Sequence, residues 1–204
     1  MVNIAVLVSG SGTNLQAIID ACEKNEINGK VKVVISNRKK AYGLERAKNH
    51  NIKALWIKDE DEIIKTLHEE KIELIVLAGY LAIVSEKLIN LYENKIINIH
   101  PSLIPSFCGP GFYGIHVHEH AFNRGVKVSG ATVHFVSTVV DGGPIILQEA
   151  IDISDCKTPE EIQLKILNNI EHKLLVKAVK LYCDDKLKIE NERVEIIWKE
   201  HLLV

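Results

Sequence analysis

Short apolar runs rich in Val, Ile and Leu alternate with amphipathic stretches through the first half of the chain. Asn3–Val8, Val31–Ser36, Ala54–Ile57, Leu74–Ala78 and Ile96–Ile99 read as strands, near-continuously apolar as strands covered on both faces are. Between them, Asn14–Asn25 places Leu15, Ile18, Ile19 and Cys22 on one helical face, and Tyr42–His50, Asp59–Glu70 and Ser85–Tyr92 read as further helices. This alternation predicts an α/β fold: a mostly parallel, Rossmann-like sheet with helices on both faces. Ligands of such sheets sit beyond the carboxyl ends of the strands.

The pattern then changes. Residues 101–115 form a loop punctuated by Pro101, Pro105, Gly109, Pro110, Gly111 and Gly114, followed by a helix near Val117–Arg124. Val128–Val136 and Pro144–Ile153 are expected to pair antiparallel. Thr158–Tyr182 reads as one long helix, opened by a cap residue, a first-turn proline and two acids at the positive dipole end. Two short strands, Leu187–Glu190 and Arg193–Trp198, turn around Asn191. No repeat, low-complexity tract or linker interrupts the 204 residues, so one domain over 1–204 is expected.

Charge narrows the partners. Twenty-five Lys+Arg against twenty-seven Asp+Glu give a net charge of −2, with no excess to neutralise a nucleic-acid backbone. No apolar run reaches the roughly 18 residues of a membrane span. Met1–Val8 lacks a basic leader and a cleavage site, so it reads as a buried strand rather than a signal peptide. Cys22, Cys108, Cys156 and Cys183 form no CxxC pair and are expected as reduced thiols, which points to the cytoplasm.

Three motifs could carry chemistry. Ser9-Gly10-Ser11-Gly12-Thr13-Asn14 joins the first strand to the first helix, where free amides and the helix dipole suit a phosphate. It is neither a dinucleotide fingerprint, since Leu15 stands at the third glycine position, nor a Walker loop. A turn that merely starts a helix is the plain alternative. Second, Asn98-Ile99-His100-Pro101 ends a strand. Alternation puts Asn98 and His100 on one side, with Ile99 in the packing. A lone histidine there would be structural; paired with an amide donor at the sheet's carboxyl edge, it reads equally as a site. Third, Asp141-Gly142-Gly143-Pro144 is either a turn or, if Asp141 reaches His100, a carboxylate that favours the imidazolium and raises its pKa. His116, His118 and His120 lack a completing ligand set for zinc. Cys108 has no basic partner at a telling spacing.

These motifs together resemble the phosphoribosylglycinamide formyltransferase family: Ser9-Gly10-Ser11-Gly12-Thr13-Asn14-Leu15-Gln16, Asn98-Ile99-His100-Pro101-Ser102-Leu103-Ile104-Pro105, His134-Phe135-Val136, and Asp141-Gly142-Gly143-Pro144-Ile145-Ile146-Leu147-Gln148. The likeness runs from Asn3 through the long C-terminal helix. It implies a formyltransferase fold and transfer of a formyl group from 10-formyltetrahydrofolate, as cosubstrate, to glycinamide ribonucleotide, both small-molecule partners, with no metal and with the oligomeric state left open. By position, the catalytic residues fall on Asn98, His100 and Asp141, and the substrate-binding residues on Gly12, Thr13, Asn14 and Glu171. The folate segment falls on Leu81, Ala82, Ile83 and Val84, with Asn98 touching the folate as well. This chain departs from some members at Ala82 (Arg in those), in a shorter 56–70 stretch without a folate-proximal Arg, in a longer 107–114 loop, and at Asn168 (Gln in those). A formyl-folate deformylase and a non-catalytic nucleotide-binding module are the alternatives.

Overall fold

A computed structural model describes residues 1–197. The chain runs β1 (Val2–Val8), α1 (Thr13–Glu23), β2 (Gly29–Ser36), α2 (Tyr42–Asn49), β3 (Lys53–Trp56), α3 (Glu60–Glu69), β4 (Leu74–Leu77), α4 (Glu86–Leu91) and β5 (Ile96–His100). It continues with α5 (Ile115–Arg124), β6 (Val128–Phe135), β7 (Ile145–Asp152), α6 (Pro159–Ile166), a π-turn (Leu167–Glu171), α7 (His172–Cys183), β8 (Leu187–Glu190) and β9 (Arg193–Ile196). Each strand expected from the sequence is present within two residues at either end. Trp198, the expected end of the last strand, lies outside the described residues.

Seven strands form one sheet in the order β3-β2-β1-β4-β5-β6-β7. The first five are mutually parallel, while β6 and β7 pair antiparallel beyond β5, as the sequence suggested. β8 and β9 make a separate hairpin. Alternation along β1 divides the core: Ile4, Val6 and Val8 join the cluster with α1, α2, α6 and α7, whereas Ala5 and Leu7 face α3 and α4. All five are fully buried, which explains why the strand reads as an unbroken apolar run.

The C-terminal helix corrects the sequence reading. Instead of one α-helix over 158–182, the chain passes through the π-turn between α6 and α7. Ile162, Ile166, Ile170, Leu174 and Ala178 are all buried at a spacing of four. Repeats of four drift by about 40° each on a regular helix, and the wider π-turn brings the stripe back onto the core. It also delivers Glu171 inward, as a buried carboxylate.

Candidate active site

The strand order reverses beside β1, so the connections leaving β1 and β4 diverge and open a crevice at their carboxyl ends. A cavity of about 520 Å³ occupies it. Every site residue expected from the sequence lines this one cavity: Gly12, Thr13 and Asn14 after β1; Leu81, Ala82, Ile83 and Val84 after β4; Asn98 and His100 on β5; Asp141 between β6 and β7; and Glu171 in the π-turn.

One end is shaped by how α1 begins. Asp59, Ser85 and Thr158 cap α3, α4 and α6 with side-chain oxygens, but α1 has Gly12 at its N-cap position, without a side-chain cap and with no acid in its first turn. Gly12 sits at φ +71, and a Cβ there would meet the Gly43 Cα at 2.7 Å, so glycine is required twice over. Uncapped N–H groups at a helix start form an anion site. Beside them, the Asn14 amide donates to Glu171 at 2.8 Å, while Asn14 Oδ1 is buried with no partner among the described residues. Burial pushes the Glu171 carboxyl above its ordinary range against the pull of the Asn14 hydrogen bond. The arrangement suits a hydroxylated, phosphorylated ligand.

The polar centre joins four elements. His134, which the register sets opposite Asn98, donates from Nδ1 to the Phe135 carbonyl at 2.8 Å. Its Nε2 is thereby left to accept from the Asn98 amide at 3.2 Å, which fixes the amide's orientation. His100 donates from Nε2 to the Phe107 carbonyl at 2.8 Å, and its Nδ1 stands 3.6 Å from Asp141. The Asp141 carboxylate accepts the Gly109 N–H at 2.8 Å and lies 3.7 Å from His134. Asp141 therefore does reach His100. Its backbone is at φ +55 and that of Phe107 at φ +49, left-handed conformations that a bulky residue such as Phe rarely adopts.

The electrostatics differ from the sequence expectation in one respect. Burial lowers the His100 pKa and outweighs both Asp141 and the Phe107 carbonyl, so the imidazolium is not favoured. Burial also opposes charge on Asp141, but the charge His100 carries once protonated and the Gly109 N–H hold that carboxyl below its usual range. The centre thus pairs an ionised carboxylate with a histidine poised to gain a proton.

The apolar wall is built on main chain. Ser9 Oγ accepts the Leu81 N–H at 2.9 Å and donates to Asn37 at 2.6 Å, pinning the start of the 81–84 segment. Ser85, at its far end, is held by both oxygens of Glu60. Ile83, which lines the cavity, is an apolar side chain left 82% exposed. Among the described residues, no Lys or Arg lines the cavity.

Several contributors escape sequence reading. His134, Phe107, Gly109 and the buried His118 all line or support the cavity, and only the register and the loop path reveal them. Asn168 is exposed and off the cavity wall, where Gln163 stands instead. Cys108 donates to the Pro105 carbonyl. Among the described residues, no three His, Cys, Asp or Glu side chains gather as a metal site, and no helix is long and apolar enough to cross a membrane.

Comparison with known proteins gives a consistent picture. Residues 2–179 match the formyl transferase family. The phosphoribosylglycinamide formyltransferase of Haemophilus influenzae is 38% identical over 94% of this chain and 92% of its own. The crystal structure of glycinamide ribonucleotide transformylase 1 from Symbiobacterium toebii superposes with a TM-score of 0.90 at 41% identity, covering 97% of this chain and 95% of that one. A formyltetrahydrofolate deformylase from Pseudomonas syringae shares the fold, with a TM-score of 0.86, but only 24% identity over 97% of this chain and 66% of its own.

Proposed function

The chain belongs to the formyl transferase family, and from that membership we propose that it transfers the formyl group of 10-formyltetrahydrofolate to the primary amine of glycinamide ribonucleotide in purine biosynthesis. The observation that carries this reading is a single cavity. It joins an uncapped helix start, suited to a phosphate, to an apolar wall suited to a folate, with Asn98, His100 and Asp141 lining the same space. The expected compartment is the cytoplasm.

The amine lone pair attacks the formyl carbon, and the carbonyl π electrons move onto oxygen. The second Asn98 amide hydrogen, the one not committed to His134, donates to that oxyanion. His100 adds its Nε2–H as the charged oxygen competes with the neutral Phe107 carbonyl. Negative charge growing beside the imidazole offsets the burial that keeps it neutral at rest. The attacking nitrogen, now positive, loses its proton to the His100–Asp141 pair, directly or through water. The tetrahedral intermediate then collapses: the bond from carbon to the folate nitrogen breaks, and that nitrogen recovers a proton. The α1 start and Glu171 hold the ribonucleotide, so that attack is effectively unimolecular.

Release of tetrahydrofolate, followed with and without glycinamide ribonucleotide, tests the reading. Amine-dependent release supports it. Release at the same rate in water alone marks a deformylase, and no release marks a binding module.

A further inference from the structure

Arg46 lies on α2, outside the cavity lining, yet it makes an oriented set of contacts with the loop that begins α1. Its Nε donates to the Ser11 carbonyl at 2.8 Å and its Nη1 to Gln16 Oε1 at 3.2 Å. Its guanidinium lies over the Tyr42 ring, 5.1 Å from the centroid, which braces the side chain from behind. One residue earlier in the loop, the Gly10 carbonyl accepts the Gly43 N–H of the same helix at 3.1 Å. Two successive loop carbonyls therefore point at α2.

Peptide planarity turns this into a statement about the opposite side. In a trans peptide the C=O and the following N–H point in opposite directions. Turning the Gly10 and Ser11 carbonyls toward α2 turns the Ser11 and Gly12 N–H groups away from it. Neither N–H meets a backbone or side-chain acceptor among the described residues. Consecutive N–H groups facing one way form an anion-binding nest. The guanidinium adds to it, since donation to the Ser11 carbonyl polarises the peptide that carries the Gly12 N–H.

We infer that Arg46 is a positioning residue for the phosphate of the amine substrate: it orients the Ser11–Gly12 peptide from behind without touching the ligand. The inference rests on the functional reading above for the identity of that substrate, but the loop's response to an anion can be read without it. α2 thus supplies the carbonyl side of the cradle and α1 the amide side. The Gly12–Gly43 contact brings the two helices close enough for this.

The test compares wild type, Arg46→Met and Arg46→Lys, with folding checked by circular dichroism. Arg46→Met is expected to raise the KM for glycinamide ribonucleotide by roughly tenfold or more, the scale of a charge-assisted hydrogen bond. The KM for 10-formyltetrahydrofolate and the kcat at saturation should stay within about twofold, a split that a general loss of structure would not produce. Arg46→Lys should recover part of the loss. In parallel, inorganic phosphate alone should shift the Ser11 and Gly12 amide resonances in wild type, and far less in Arg46→Met. An unchanged ribonucleotide KM with an undiminished phosphate response overturns the inference, as does a wild-type loop that ignores phosphate. Should Arg46→Met fail to fold, Arg46→Lys decides: its ammonium cannot serve Ser11 and Gln16 in the same geometry, and wild-type behaviour there is equally contrary. A wild type that turns over no ribonucleotide while its Ser11 and Gly12 amides still answer phosphate through Arg46 sinks the functional reading and leaves the role of Arg46 standing.

Discussion

Asn98 has two amide hydrogens, and His134 takes one of them. An untethered carboxamide can present oxygen or nitrogen to the cavity, and only nitrogen stabilises an oxyanion. His134→Ala is therefore expected to lower kcat by roughly 10- to 100-fold, with both KM values little changed; steady-state kinetics on the folded variant check this. His118 makes a second residue-scale case. Burial holds its pKa down at about 4, with the charge on His100 adding to the effect, and its Nδ1 has no partner among the described residues. A depressed histidine favours the folded state fully above the unfolded value near 6.5, and that contribution is lost as pH falls toward 4. Urea midpoints of wild type should fall over this window more than those of His118→Leu. The difference is on the order of 3 kcal/mol, and parallel pH curves would refute the assignment. Neither role was legible in the sequence. His134 meets Asn98 only through antiparallel register, and His118 looked like one of three alternating histidines until the helix buried it. Likewise, only the family resemblance implies that Asp141 meets His100, and how burial and the carboxylate balance depends on depth, which no local pattern encodes.

At the scale of elements, the short strands were readable because both faces are covered, so their composition is uniform. The turns that aim the site were only partly readable. Gly143 shows why: a Cβ there would fall 1.9 Å from the Phe135 carbonyl oxygen, a backbone collision visible only once β6 and β7 are paired. Gly143→Ala is expected to cost more than about 2 kcal/mol and to displace Asp141. Chemical denaturation together with kcat would show both losses, whereas a stable, active variant would mean the turn can relax. The π-turn did leave a trace, the fourfold spacing of Ile162, Ile166, Ile170 and Leu174. Such spacing is easily read as an ordinary helical stripe, and Glu171 was assigned a site only through family resemblance. The folds of α6 and α7 around that turn place a carboxylate against Asn14, 157 residues earlier in the chain.

Across the whole molecule, the order of strands and helices was legible, and with it the crevice where ligands of such sheets sit. What the sequence could not show is that three distant motifs share one cavity. That convergence depends on β5 pairing with both β4 and β6, which sets the loop before α1, the Asn–His strand end and the Asp141 turn around a common space. Among the described residues no Lys or Arg lines the cavity, so under the proposed function recognition there would rely on backbone dipoles, apolar contact and a few aimed polar groups, with Arg46 acting from behind. The most direct measurement is the single-turnover rate of formyl transfer in Asn98→Ala with both substrates bound. The account predicts a fall of about 10²–10³ in that rate, with substrate affinities close to wild type. Transfer at the wild-type rate from a correctly folded Asn98→Ala protein would contradict it.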